Sequence, residues 1–186
     1  MQLVRIVAAT LVAALTAIAS PAAAQVTGNG GFDAPMSALT DQAFIEKFVE
    51  ANNQEILQAA AQLHSRDAGV RLFARTMIAD HTSANVQGEA IARNLGLQVP
   101  HAILSEGAAV PVPPASSARS YMTEQVTNHE AVIAVLRQES KFGSNAQLKT
   151  LAMHVLLVAQ AHLAMAQQYL SSGTVSPEVV PTPPQN

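Results

Sequence analysis

The sequence predicts an all-α chain, a bundle of four helices, and three observations carry that prediction. Apolar residues recur at helical spacing over four long stretches. No run alternates apolar and polar residues between turn signals, so no strand competes. The composition is rich in Ala, Leu, Val and Gln, with few aromatics and no Trp, as in closely packed helices.

The elements follow in chain order. Residues 1–24 read as a cleavable signal peptide. Arg5 supplies the positive region, Ile6 to Ala19 the apolar region, and Ala22-Ala23-Ala24 a small-residue cleavage site before Gln25. No Cys stands at that site, so a lipoprotein anchor is excluded. Residues 25–39, with Gly28, Gly30, Gly31 and Pro35, read as a flexible lead-in. Thr40 or Ser37 is positioned to cap a first helix, with Asp41 in its first turn. From there to about His64, the residues Ile45, Phe48, Val49, Ile56, Ala59 and Leu63 share one face. Asn52 lies inside that face and Glu55 at its edge.

Ser65 to Gly69 is a tight connection with Asp67 as a cap. The second helix runs from Val70 towards Gly96, which suits the residue just past a helix end. Its seam is Val70, Phe73, Ala74, Met77, His81, Ala84, Gly88, Ile91 and Leu95. Leu97 to Ala115 is broken by Pro100, Pro111, Pro113 and Pro114 and is long enough to run back along a bundle. Ser116 or Ser117 caps a third helix ending near Phe142, with a seam of Met122, Val126, His129, Ile133 and Leu136. Gly143 and Ser144 turn the chain into a fourth helix, about Asn145 to Leu170. Its seam is Leu148, Leu151, Ala152, Val155, Ala159, His162, Ala166 and Tyr169. Residues 171–186 read as a disordered Pro-rich tail. Two antiparallel hairpins joined by one long Pro-containing crossover make the ferritin-like form of the four-helix bundle, here over residues 40–170.

Composition narrows the function classes. Removal of the signal takes Arg5 with it and leaves 162 residues with a formal charge of −4. Mild acidity without a basic patch argues against a nucleic-acid partner. The apolar run of the signal is short for a membrane span, and no transmembrane segment is expected once it is cleaved. Absence of Cys removes thiolate chemistry and disulfide staples. No Gly-x-Ser-x-Gly elbow or phosphate loop is present, so catalysis would need a bound metal. The sequence names no reaction, and a non-enzymatic role is the expectation.

The seams hold the informative residues. His81, His129 and His162 each stand where a leucine is expected, and Glu55 offers a carboxylate on the first helix. One inward polar side chain per helix is how bundles build metal centres, and this set suits Fe, Cu, Zn or Mn. Asp80 and Glu130 adjoin two of the histidines as outer acceptors or further ligands. The Glu-x-x-His pairs of a di-iron carboxylate centre are absent. Counted from the shared end of the bundle, Glu55 and His162 lie about nine residues in and His81 and His129 about thirteen. At ~1.5 Å per residue the two layers differ by about 6 Å. The competing reading is a buried polar network, in which these histidines bond to Glu55, Asp80 or Asn52 and only set helix register. His64, His101 and His154 read as surface or boundary residues. Met77, Met122, Met153 and Met165 read as core filler rather than copper ligands.

The stretch from Val70 to Pro100 resembles the bacterial family known as domain of unknown function 4142. Phe73-Ala74, Met77-Ile78, Asp80-His81-Thr82, Ala84-Asn85, Gly96 and Pro100 carry the resemblance, with Glu55, Tyr121, His129 and His162 at matching places. It covers about Thr40 to Leu170 and implies an exported protein with a ferritin-like bundle, without implying a reaction. The chain departs from the family pattern at Asn128, where an Asp is frequent, and at Val155-Leu156-Leu157, where a proline is frequent. The expected protein is therefore periplasmic or secreted, a helical bundle with a His and carboxylate centre for a transition metal. The alternative is an envelope interaction protein whose polar centre sets register, with an envelope protein or a second copy as partner.

Overall fold

The computed structural model describes residues 39–100 and 112–176. Among these residues it contains four helices and no strand: α1 (Asp41–Ala61), α2 (Ala68–Leu95), α3 (Ala118–Phe142) and α4 (Ala146–Ser172). The all-α four-helix bundle is as expected. The signal segment, the lead-in before Leu39, His101 and residues 177–186 lie outside the described residues.

Each helix starts on a side chain that replaces a missing intrahelical acceptor. Thr40, Asp67, Ser117 and Asn145 accept from Ala43, Val70, Ser120 and Gln147 backbone N–H groups respectively. Asp67 also ties two helices together, because its second oxygen accepts from the Tyr169 hydroxyl at 2.8 Å. Gly96 and Gly173 close α2 and α4 with φ of 67° and 74°, a conformation that a Cβ disfavours.

Two boundaries differ from expectation. Helix α1 stops at Ala61 rather than near His64, where the chain passes into tighter turns (Gln62 N–H to Ala59, Leu63 N–H to Ala60, Ser65 N–H to Gln62) while the Gln62 side chain donates to the Ser116 carbonyl at 3.3 Å. Helix α4 runs past Leu170 to Ser172, and the first tail residues are ordered against it. Gly173 reverses the chain, Val175 packs on the core, and Ser176 N–H donates to Gln168 Oε1 at 3.0 Å.

End-to-end contacts give the directions of the helices. Gln42 at the start of α1 exchanges hydrogen bonds with Gln98 just past α2, and Ser144 between α3 and α4 donates to Asp41 at 2.7 Å. At the other end Gln62 meets Ser116 and Tyr169 meets Asp67. Helices α1 and α4 therefore run one way and α2 and α3 the other. The closest backbone approaches are within the hairpins α1–α2 and α3–α4 and between α2 and α4.

The core falls into two apolar clusters. One holds Phe44, Ile45, Phe48, Ile133, Leu136 and Leu148, the other Phe73, Met77, Tyr121, Met122 and Met165. Met153 is the exception among the methionines read as core, being 48% exposed on α4. By length and composition α4 would suffice to cross a membrane, yet Leu148, Leu151, Ala152, Met165 and Ala166 on it are core residues here. Gly88 permits the close approach of α1 and α2, since a Cβ there would stand 2.8 Å from the Phe48 ring. Between the two clusters lies a belt of buried polar side chains: Asn52, Asn53, Glu55, Asn85, Gln125, His129 and His162.

Candidate metal centre

Helix ends decide which side chains share a layer. His81 lies thirteen residues past Ala68, His129 eleven past Ala118 and His162 ten before Ser172, whereas Glu55 lies only six before Ala61. The three histidines are thus at nearly one depth, and one ring nitrogen from each lies within 4.8 Å of the others. This revises the two-layer estimate: His162 joins His81 and His129 instead of pairing with Glu55, because α4 is longer and α1 shorter than the apolar pattern implies. Ring centroids are 5.3 Å apart for His129 and His162, 5.4 Å for His81 and His162, and 6.1 Å for His81 and His129.

Each imidazole has one nitrogen held by an oxygen. His81 Nδ1 is 2.7 Å from Asn52 Oδ1, His129 Nδ1 is 2.9 Å from the Gln125 carbonyl, and His162 Nε2 is 2.9 Å from Asp80 Oδ2. Those oxygens accept, so these three nitrogens carry the protons. With the rings neutral, this leaves lone pairs on His81 Nε2, His129 Nε2 and His162 Nδ1. His129 Nε2 and His162 Nδ1 face each other at 3.3 Å, and His81 Nε2 is buried without any hydrogen-bond partner. Lone pairs gathered in a buried place repel one another unless a cation or proton stands among them. A separation near 3.3 Å is also what two nitrogens about 2.0 Å from one tetrahedral ion would show. The donor set fits a metal ion.

Burial works in the same direction. It holds His81 well below the usual imidazole range, reinforced by His162 and His129. It brings His129 down to about 4, with His162 adding to the effect and the Gln125 carbonyl opposing it. Neutral imidazoles are the form that ligates. Phe73 packs edge-on against His162, with centroids 6.2 Å apart, and covers the centre from the apolar side.

The other expected residues take different places. Asp80 is an outer acceptor, but for His162 on α4. Adjacent helix residues diverge by about 100°, so it cannot reach its own neighbour's ring. Glu130 is exposed, since it follows His129 by one position and points outward; the outer acceptor of His129 is the Gln125 carbonyl instead. Glu55 lies outside the group of converging nitrogens. It accepts from Asn128 Nδ2 at 3.0 Å, and burial raises its carboxyl to about 7, while the Gln125 and Asn128 amides pull it back and Glu124 pushes it up. Asn128, where an Asp is frequent in the family pattern, thus serves Glu55 rather than His129. His64 is exposed and His154 half-buried, both away from the centre. Sequence reading did not single out Gln125, because a backbone carbonyl acceptor leaves no residue-type signal. The Asn85–Asn53 bond, 2.9 Å, was also missed, although Asn85 sits one turn beyond His81 on the same seam.

Fold and centre together define a class, a four-helix bundle with three imidazoles converging in a polar belt of its core. The family model described as Domain of unknown function (DUF4142) matches residues 28–169, and the chain belongs to that family. No curated relative matches. Among solved structures the chain is similar to "CopM in the Cu(I)-bound form", at 16% identity and a TM-score of 0.57, covering 73% of this chain and 98% of that one. At that identity the likeness concerns the fold.

Proposed function

We propose that this protein binds a transition metal ion, copper by preference, through His81 Nε2, His129 Nε2 and His162 Nδ1. The observation that carries the reading is the convergence of three imidazoles: each has one nitrogen on an oxygen, and one nitrogen from each ring lies within 4.8 Å of the others. Three neutral nitrogens without a converging carboxylate suit copper or zinc better than magnesium, calcium or manganese. The similar structure held Cu(I), which supports copper. In this reading the protein is exported and acts in the periplasm or outside the cell as a metal-holding protein rather than an enzyme.

A second reading rests on the same bonds. One proton shared between His129 Nε2 and His162 Nδ1, with Asp80 as counter-ion, would relieve that pair, and the cross-helix bonds to Asn52 and Asp80 would then set register. An envelope protein or a second copy would be the partner in that case. His81 Nε2 stays unpartnered in this arrangement, which is why the metal reading is preferred.

The deciding experiment is metal content by mass spectrometry on protein purified without an affinity tag, repeated after titration with Cu(I) and Zn²⁺. Near-stoichiometric uptake, lost in His81→Leu and His162→Leu, is expected. Folded protein that takes up neither ion sinks the metal reading and favours the register network.

A further inference from the structure

Past α4 the chain turns back along the bundle. Gly173, at φ 74°, reverses its direction, and Val175 comes to rest against the first turn of α2, beside Gly69. Ser176 then exchanges hydrogen bonds with Gln168: its N–H donates to Oε1 at 3.0 Å and its hydroxyl accepts from Nε2 at 3.3 Å. Gln168 stands one turn before the end of α4. At Ser176 the chain is therefore heading up the outer seam between α2 and α4.

That seam offers two features in line. Asp80 on α2 holds His162 on α4 through Oδ2, and its side chain is 35% exposed, so the polar belt meets water there. Farther along lies a groove of about 430 Å³ whose lining includes Gln87 and Ile91 on α2 and Thr150, Leu151 and His154 on α4. No Asp, Glu, Lys or Arg lines it, and none occurs on α4 from Thr150 to Ser172. Leu157, one turn from His154, is exposed.

We propose that residues 177–186 dock along this seam, with Val179 and Val180 over the Asp80–His162 bond and Pro183 and Pro184 in the groove beside His154. The length of the segment fits. At ~1.5 Å per residue, His162 lies ~9 Å and His154 ~21 Å beyond the level of Gln168. A Pro-rich strand rises ~3.1 Å per residue, which brings Val179 to the first level and Pro183 to the second. Its chemistry fits as well. In the run Pro-Glu-Val-Val-Pro-Thr-Pro-Pro-Gln-Asn only Glu178 is charged, so an almost uncharged strand meets an uncharged helix face at little desolvation cost. The prolines have no N–H to leave unpaired against the helix. Val179 and Val180 bring N–H groups to the level of Asp80, which spends only Oδ2 on His162. The docked strand closes the edge at which water reaches Asp80. This docking does not depend on whether the histidines hold an ion.

The chain has no cysteine, so Thr182→Cys gives a single place for a nitroxide tag. Paramagnetic broadening of amide resonances is then read in the full chain, with circular dichroism as the check on folding. Gln87, Thr150 and His154 are expected to lose most of their signal intensity, and to regain it when Val179→Asp and Val180→Asp are added. Broadening confined to the residues just past Gly173 would overturn the docking, as would broadening that survives both aspartates. Broadening of untagged, isotope-labelled protein mixed with tagged protein would mean that the tail binds a second copy, which overturns the site within one chain. Removal of residues 177–186 is expected to shift the same amide resonances, and identical spectra with and without them would count against the docking.

Discussion

His129 Nε2 and His162 Nδ1 stand 3.3 Å apart in the core, and the other nitrogen of each ring already donates to an oxygen. With both rings neutral, that relationship makes two core histidines into a pair of facing acceptors. With His81 as the third member, three imidazoles converge, the arrangement on which the proposed metal site rests.

Asp80 keeps His162 in the tautomer that frees Nδ1, so Asp80→Asn tests the arrangement directly. An asparagine can turn its amide to donate to Nε2, which moves the imidazole proton to Nδ1 and points it at His129. Metal affinity is expected to fall by roughly 10- to 100-fold, as for other outer partners of ligating histidines. Stability of the metal-free protein is expected to hold, because two facing lone pairs become a hydrogen bond. Chelator competition and thermal melts on the same sample read both quantities.

The pH dependence of stability has two contributions of opposite sign. His81 and His129 are depressed in the folded state, so folding releases protons from them and stability falls as pH drops from about 6.5 towards 4. Glu55 is raised to about 7, so the folded state holds its proton longer than the unfolded chain. Its contribution is greatest at low pH and is lost as pH rises from about 4.5 through 7. Glu55→Gln is therefore expected to gain on the wild type with rising pH, by a difference of the order of 3 kcal/mol at most across that window. Urea melts at pH 5 and pH 8 measure it; a difference that shrinks with pH would contradict the assignment.

At the close contact of the first hairpin, Gly88→Ala is expected to destabilise despite the better helix propensity of alanine. The new methyl would meet the Phe48 ring at 2.8 Å, and overpacking of this kind costs about 1–3 kcal/mol. Adding Phe48→Leu to the same chain should recover part of the loss, and chemical denaturation of the single and double variants decides it.

Asp67 caps α2 with one oxygen and accepts from Tyr169 with the other. Asp67→Ala is expected to cost about 1–2 kcal/mol. Tyr169→Phe should cost less, because it leaves the cap intact. Equal losses from the two would mean that the cap contributes nothing.

The helices were legible because local chemistry defines them. Apolar spacing, the caps Thr40, Asp67 and Ser117, and Gly96 with its positive φ all act within a few residues. The histidines were legible as polar residues on apolar seams. Their grouping was not, since it depends on where α1 and α4 end. Helix α1 ends at Ala61 and α4 runs on to Ser172, so counting from the expected ends misjudged the layers; His162 lies beside His129, and Glu55 lies apart. Partners were equally hidden. Asp80 serves a ring 82 positions away and Asn128 a carboxylate 73 positions away, neither of which sequence spacing can reveal.

By itself, then, the sequence determined four amphipathic helices, their caps, and the presence of ionisable groups on buried faces, because periodicity and capping are properties of neighbouring residues. Only the tertiary structure decided which of those groups meet and which nitrogen of each imidazole is free. Those outcomes are set by helix length and cross-helix hydrogen bonds, where a shift of one turn moves a side chain by about 5 Å and changes its partner.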